Sequence, residues 1–302
     1  MVFMTQRRRR IHGTGLALLA VIALTAGCAS TDDPTAAGKT EVLAAFYPFA
    51  FVAERVGGPD VAVTNLTTPG VEPHDLELTP RQVGAISRTD LLIYLKGFQP
   101  AVDEAVAQEA NHPLEVSTAL PLEATPGSGT ARDPHFWLDP TKLAAIVDPV
   151  ADRLADADPA HAAAFRQRAG TLKEKLANLD AEYRAGLANC AQTEFVTAHA
   201  AFGYLAERYG LRQVPIAGVS PEQEPAPARL QEIQQLVRTR GITTVFFESL
   251  LNPDLARTIA RDTGATTAVL DPIEGIKDTA ANDYLSVMRA NLAALRKALS
   301  CP

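Results

Sequence analysis

The chain has 302 residues, of which 47% are hydrophobic and 21% charged, and its 28 basic and 35 acidic side chains give a formal net charge of −7. These values are typical of globular proteins and exclude wholesale disorder, collagen-like and coiled-coil architectures. The only charged residues before Cys28 are four arginines, so from Cys28 onward 24 basic residues face 35 acidic ones. An acidic chain of this kind is not expected to bind nucleic acid.

Residues 1–27 are typical of an export signal. Arginines at positions 7–10 precede an apolar segment at 16–24, and Thr25, Ala26 and Gly27 form a small-residue cleavage site before Cys28. The apolar run is too short to cross a bilayer. The pattern predicts a lipoprotein signal in which Cys28 carries the lipid. The alternative is an ordinary secretory signal with an incidental cysteine. We expect the protein on the outer face of the cell membrane, tethered by a flexible segment at 28–40.

Strands and helices alternate in the next part of the chain. Helices are predicted to begin at Pro48, at Thr79-Pro80 with a capping box, near Pro100, and at Asp139-Pro140 with a helical pattern to about Leu154. A long helix with a polar face follows at residues 162–187. The strands predicted here are residues 41–45, 61–66 and 90–95.

The alternation resumes after the long helix. Helices are predicted near Phe202, Ala226, Pro253 and Asp283. The strands predicted between them are residues 194–197, 211–214, 243–247 and 267–270. Repeated β-α-β units predict parallel sheets covered by helices. We therefore expect an α/β fold of two lobes, at 41–158 and 188–302, each a mainly parallel sheet, joined by one long helix at 159–187. The cleft between the lobes is the expected ligand site.

Two cysteines remain beside Cys28, namely Cys190 and Cys301. An even number of cysteines in an exported protein predicts one disulfide, which would close a loop of about 110 residues. The alternative is two unrelated buried thiols.

Three of the six histidines stand in unusual sequence contexts. His74 lies in the loop after the second strand, His135 follows Asp133-Pro134 just before a capped helix, and His199 ends a strand. Because ligands of parallel sheets bind beyond the carboxyl ends of the strands, these three side chains are candidates for one site. Each taken alone is more often a hydrogen-bonded loop histidine than a metal ligand.

A tetrahedral metal site needs a fourth ligand. Glu248 and Asp271 both end strands of the second lobe, and only one of them is expected to reach the metal. Water is the third candidate for the fourth position. Carboxylates can also orient a metal-bound imidazole through its other ring nitrogen. The candidates for that role are Glu72, Asp133, Asp139 and Glu248.

Four ordered motifs make the chain recognisable: GVEPH ending at His74, DPHFW around His135, HAAFGY from His199, and LDP around Asp271. Together they resemble the metal-binding solute-binding lipoproteins of bacterial ABC importers, specifically the zinc-importing branch. The resemblance covers the chain from about Glu41. It implies that His74 and His135 from the first lobe and His199 and Asp271 from the second hold one divalent metal. It also implies delivery to an importer permease, and we expect a monomer.

The identity of the metal depends on position 199. Manganese- and iron-binding relatives have glutamate there, and three imidazoles with one carboxylate suit Zn²⁺ better than Mn²⁺ or Fe²⁺. The His-rich loop that many zinc-binding relatives carry before the Asp-Pro-His motif has no histidine here, at residues 122–130. The alternatives are a manganese or iron receptor of the same family, a secreted zinc metalloenzyme, and an adhesive surface lipoprotein. The enzyme is disfavoured because neither a His-Glu-x-x-His motif nor a Gly-x-Ser-x-Gly motif is present.

Overall fold

The first sheet lies in the N-terminal half of the chain. The structure is a computed structural model that describes residues 38–123 and 132–302. The predicted signal, Cys28 and most of the predicted tether therefore lie outside the described residues. Four parallel strands in the order β2-β1-β3-β4 form the sheet. They are β1 (Thr40–Ala44), β2 (Val61–Asn65), β3 (Leu91–Tyr94) and β4 (Pro113–Glu115).

The second sheet repeats the arrangement of the first. Its four strands are again all parallel, in the order β6-β5-β7-β8. They are β5 (Glu194–Thr197), β6 (Arg212–Pro215), β7 (Thr244–Phe247) and β8 (Thr266–Val269). Two parallel sheets in separate halves of the chain confirm the predicted fold class. The short strand β4 was not predicted, because three residues that begin with proline carry little strand signal.

Ten α-helices connect and cover the strands of the described residues. They are α1 (Tyr47–Gly57), α2 (Pro80–Ile86), α3 (Pro100–Glu109), α4 (Pro140–Ala145), α5 (Val147–Ala157), α6 (Ala162–Leu187), α7 (Gly203–Arg208), α8 (Pro227–Arg240), α9 (Asp254–Thr263) and α10 (Tyr284–Ala298). The predicted capping box of α2 is present, with the Thr79 hydroxyl accepting from the Gln82 N–H. None of the helices in the described part of the chain is both long enough and apolar enough to span a membrane.

The helical pattern predicted from Asp139 to Leu154 is broken in the structure. Helix α4 ends at Ala145 and α5 begins at Val147. Pro149 explains the break, because proline has no N–H to donate to the carbonyl of Ala145 and its ring would clash with that carbonyl. The prediction of one continuous helix was therefore wrong.

The long helix α6 packs against helices from both halves of the chain. Its neighbours include α1, α4 and α5 from the first half and α10 from the second. The buried stripe of α6 recurs every three or four residues and consists of Phe165, Ala169, Leu172, Leu176, Leu179, Tyr183 and Leu187. One continuous apolar core includes this stripe, Leu92 of the first sheet and Phe246 of the second. This shared core favours small relative movements of the lobes over a wide hinge opening.

A disulfide joins Cys190 to Cys301, as predicted, across a separation of 111 residues. It ties the segment after α6 to the C-terminal segment after α10. The backbone supports this junction, because the N–H of Ala191 donates to the carbonyl of Ser300 and that of Gln192 to Leu299. Closing a loop of this length stabilises the fold by roughly 2–4 kcal/mol.

Candidate metal centre

His74 lies in the loop that follows β2, beyond the carboxyl end of the first sheet. Its backbone N–H donates to Oε1 of Glu72 over 3.1 Å. The preceding carbonyl, that of Pro73, accepts from the buried side chain of Gln99 over 3.1 Å, and Gln99 also donates to the hydroxyl of Thr67. Both polar groups of the Pro73–His74 peptide, the carbonyl and the N–H, are thus hydrogen-bonded to side chains of the first lobe. The side chain of His74 is 9% exposed.

His135 is fully buried at the start of a 3-10 turn, Phe136–Leu138. Its Nδ1 lies 2.7 Å from Oδ1 of Asp133, and its backbone N–H donates to the same oxygen over 2.9 Å. Because an ionised carboxylate can only accept, Nδ1 donates to Asp133, and Nε2 points away from Asp133 towards the site.

His199 is held in the same way from the second lobe. It follows β5 and is fully buried, and its Nδ1 lies 2.6 Å from Oε1 of Glu248, the residue after β7. Its carbonyl accepts from the Thr197 hydroxyl and from the Gln213 side chain, both over 2.8 Å. This contact is the one that the orienting alternative for Glu248 requires, and the Nε2 atom of His199 faces the site.

The carboxylate that meets the three imidazoles is Glu274, in the loop after β8. Its Oε1 lies 2.9 Å from Nε2 of His135, 3.2 Å from Nε2 of His74 and 3.5 Å from Nε2 of His199. One potential ligand atom from each of the four residues lies within 4.8 Å of all the others. Glu274 is 1% exposed, and its Oε2 is buried without a hydrogen-bond partner among the described residues.

Asp271, the acid expected to complete the site, does not belong to this group. Its Oδ2 accepts from the hydroxyl of Ser249, and its Oδ1 accepts from the N–H of Ile273 over 2.7 Å. Both carboxylate oxygens are therefore engaged within the second lobe. The expectation that Asp271 faces the histidines was wrong, because the chain turns after it and presents the acid three residues later instead.

The other two predicted acids lie at the edge of the site or away from it. Glu72 binds the backbone of His74, and burial together with the neighbouring Glu274 raises the pKa of Glu72 to about 8. Asp139 caps α4 by accepting from the N–H and the hydroxyl of Thr141. Asp139 is therefore a helix cap, and the carboxylate that bonds Nδ1 of His135 is that of Asp133.

The buried imidazoles and carboxylates of the site stabilise each other's charged forms. Burial disfavours the imidazolium of His199, but the carboxylates of Glu248 and Glu274 outweigh it and raise its pKa well above the ordinary value. The pKa of His135 is raised in the same way, against its burial, by Asp133 and Glu274. Burial alone would raise the pKa of Glu274, but hydrogen bonds from the three imidazoles hold it well below its usual range. The metal-free site thus binds protons where its nitrogen lone pairs converge.

Four of the six distances between the candidate ligand atoms match those around a single small divalent cation. In a tetrahedral zinc site with bonds of about 2.0–2.1 Å, the ligand atoms lie roughly 3.3 Å apart. Nε2 of His135 and Nε2 of His199 lie 3.3 Å apart, and the three nitrogen–Oε1 distances bracket the same value. Three imidazole nitrogens and one carboxylate oxygen are a donor set that favours Zn²⁺ over Mn²⁺.

A cleft of about 980 Å³ gives access to the site on the side of His74. It is lined by both lobes, with Phe98 and Arg132 from the first and Ala217 and Gln223 from the second. Of the four residues, only His74, the least buried of them, lines this cleft.

Sequence reasoning missed Glu274. The acid stands one position after Pro272-Ile273 in an otherwise unremarkable loop, whereas Asp271 stands directly at the end of a predicted strand, where ligands of parallel sheets are usually sought. The sequence did contain one indication: a second acid, Glu274, stands three residues after Asp271 and is followed by Gly275.

Known proteins share this architecture. Residues 42–298 match the family model ZnuA, described as zinc-uptake complex component A, periplasmic. The zinc-binding protein AdcA of Streptococcus pyogenes is 34% identical over 289 residues, which cover 86% of this chain and 56% of that protein. The chain thus spans little more than half the length of this streptococcal relative.

A relative of similar size is the high-affinity zinc uptake system protein ZnuA of Bacillus subtilis, 30% identical over 93% of this chain and 96% of its own length. Among solved structures, the Zn(II)-bound ZnuA-like domain of Streptococcus pneumoniae AdcA superimposes with a TM-score of 0.75 at 33% identity. It covers 87% of this chain and 99% of that domain. The family model spans most of the chain, and the chain therefore belongs to the ZnuA family of zinc-uptake components.

Proposed function

We propose that this protein is an extracytoplasmic receptor that binds one Zn²⁺ and delivers it to an ABC importer. The ligands in this proposal are His74, His135, His199 and Glu274. The observation that carries it is the convergence of three imidazole nitrogens and one carboxylate oxygen within 4.8 Å, buried between two lobes. Family membership and the zinc-binding names of the relatives support it.

Zinc is the cargo of this site, and the surrounding residues prepare the site to receive it. Asp133 and Glu248 hold the Nδ1 protons of His135 and His199, so both rings offer Nε2 to the cation. The protons shared between these Nε2 atoms and Glu274 leave as zinc binds, because a metal and a proton compete for the same lone pair. Zinc binding is therefore an exchange of cations at a buried carboxylate.

Four protein ligands fill a tetrahedral shell. A catalytic zinc site keeps one position open for water, whereas here the fourth position is taken by Glu274. The arrangement therefore favours capture and transport over hydrolysis or hydration. Because each lobe supplies two ligands, a bound ion holds both lobes in one relative orientation. The fixed orientation distinguishes the loaded form from the empty form, and a permease would recognise the loaded form by it.

The location in the cell is part of the proposal. The lipoprotein-like signal before Cys28 supports attachment to the outer face of the cell membrane, as do curated relatives named as lipoproteins. We expect the receptor to act as a monomer, since one chain supplies all four ligands.

Elemental analysis tests the metal assignment. The purified protein is stripped with chelator, exposed to equimolar Zn²⁺, Mn²⁺ and Fe²⁺, desalted and measured. We expect one zinc per chain in the wild type and none in His135→Ala. The matched control is His161→Ala, because His161 is an exposed histidine bound to Asp158, and it should retain one zinc. Manganese or iron in place of zinc would contradict the metal assignment. Unaltered metal content in His135→Ala would show that the metal does not bind at this site.

A further inference from the structure

The backbone just before Glu274 adopts a conformation that its residue type disfavours. Ile273 has a φ of 57°, in the left-handed region, and is fully buried. Within the described residues Ser300 is the only other non-glycine residue with a positive φ. A β-branched side chain in the left-handed region is strained, so the surrounding structure must hold it there.

Asp271 supplies that restraint from within the segment. Its Oδ1 accepts from the N–H of Ile273 over 2.7 Å, which closes a tight turn, and its Oδ2 accepts from Ser249. With both oxygens engaged, the carboxylate acts as a bracket between the loops after β7 and β8.

Two neighbours fix the ends of the turn. Asn291 of α10 binds the backbone of Asp271 on both sides, accepting from its N–H over 2.9 Å and donating to its carbonyl over 2.7 Å. The indole of Trp137 donates to the carbonyl of Pro272 over 2.7 Å. Trp137 lies two residues after His135, so the turn is tied directly to the ligand-bearing segment of the first lobe.

We propose that Asp271 is a positioning residue for the metal site, which holds Ile273 in its left-handed conformation so that the carboxylate of Glu274 points at the three histidines. The proposal rests on the proposed zinc function. It gives Asp271 a role through Glu274 and not as a ligand. Without the bracket the segment can relax, the competent orientation of Glu274 is populated less, and the apparent zinc affinity falls by that fraction.

Variants at position 271 test the proposal. Asp271→Ala removes the acceptor for the Ile273 N–H and should weaken zinc binding by roughly tenfold or more, measured by competition with a chelator of known affinity. Asp271→Asn removes the same charge but keeps an oxygen acceptor and a partner for Ser249, so it should restore the affinity to within about threefold of the wild type. Asp278→Ala is the matched control, because Asp278 closes a similar turn in the same loop through the N–H groups of Ala280 and Ala281. It should bind zinc as the wild type does.

The outcomes separate the possible roles of Asp271. If it were a ligand, Asp271→Asn would lose as much affinity as Asp271→Ala. If it served stability alone, Asp271→Ala would lower the melting temperature of the metal-free protein and leave zinc affinity unchanged. Either result overturns the proposal. A wild-type protein that fails to bind zinc would instead overturn the proposed function itself.

A second pair of variants tests the backbone conformation. Ile273→Gly and Ile273→Ala both remove the branched side chain, and only glycine favours a positive φ. We expect Ile273→Gly to bind zinc more tightly and to melt at a higher temperature than Ile273→Ala. The reverse order, which is usual where φ is negative, would contradict the requirement for a left-handed turn.

Discussion

Nε2 of His135 and Nε2 of His199 lie 3.3 Å apart, although the two residues come from loops beyond different sheets and are 64 positions apart in the chain. Two lone pairs facing each other at this distance repel, so the arrangement is favourable only when protons or a metal cation occupy the nitrogens. Oε1 of Glu274 lies within 3.5 Å of both nitrogens and compensates the positive charge. The site therefore favours a bound cation, either protons or a metal ion.

Replacement of Glu248 tests the support of His199. Glu248→Ala removes the acceptor for the Nδ1 proton, so the ring loses its fixed tautomer and orientation. We expect zinc affinity to fall by about 10–100-fold, the range found for such supporting residues. Glu248→Gln keeps an oxygen acceptor and should lose less. Equal affinities of all three proteins in a chelator competition would show that His199 is held by its backbone alone.

Proton release should accompany zinc binding at neutral pH. The raised pKa values of His135 and His199 mean that the metal-free site holds protons there which zinc must displace. Calorimetric titration at pH 7 in two buffers of different ionisation enthalpy should give about one proton or more released per zinc. Zinc affinity should fall as the pH is lowered. A binding heat independent of the buffer would contradict the protonated site.

The stability of the metal-free protein should have the opposite pH dependence. The pKa of His199 is raised above its unfolded value, so its contribution is fully present below about pH 6.5 and is lost as the pH rises through the raised value. The pKa of Glu72 is about 8 in the folded protein and 4.5 in the unfolded chain. Its effect is therefore to lower the stability of the folded protein as the pH rises from 4.5 to about 8. Glu274 contributes above its unfolded pKa and loses this only in stronger acid.

We therefore expect the metal-free protein to melt at a higher temperature at pH 6 than at pH 9 in the presence of chelator. The zinc-loaded protein should not show this decline, because the metal replaces the protons. His199→Ala removes the titrating ring and should flatten the decline of the metal-free form. A melting temperature that rises from pH 6 to pH 9 would refute the sign of these shifts.

Gly203→Ala tests the contact between α7 and the loop of His135. A Cβ at position 203 would lie 2.8 Å from Oδ2 of Asp133, closer than van der Waals contact allows. The carboxylate must shift, and its bond to His135 weakens, so we expect zinc affinity to fall by about tenfold. Gly170→Ala is the control, since that helical glycine has nothing within 4 Å of the added carbon. It should leave zinc binding unchanged and stabilise α6 by about 1 kcal/mol.

The disulfide should matter for stability and not for zinc. Cys190 precedes β5, so the bond lies near the amino end of the second sheet, whereas the metal centre lies beyond the carboxyl ends. Replacing both cysteines by serine should lower the free energy of unfolding by roughly 2–4 kcal/mol. Chelator competition should give the wild-type zinc affinity. A matched loss of affinity would mean that α10 and its contact with Asp271 shift when the bond is absent.

Much of this protein follows from its sequence alone. Alternating strand and helix signals predicted two parallel-sheet lobes, the capping box placed the start of α2, and the even pair Cys190 and Cys301 predicted the disulfide. The sequence also singled out His74, His135 and His199, because the first follows a predicted strand, the second precedes a capped helix and the third ends a strand. These features depend on local spacing and on residue type, which a single sequence displays directly.

Only the tertiary structure decided which acid completes the site. Asp271 and Glu274 are three residues apart, and the choice between them depends on the left-handed backbone of Ile273, a conformation that a β-branched residue does not favour on its own. Contacts with Ser249, Asn291 and Trp137, all distant in sequence, hold that turn. The direction of a side chain in a loop is set by such long-range contacts, and local pattern does not contain them.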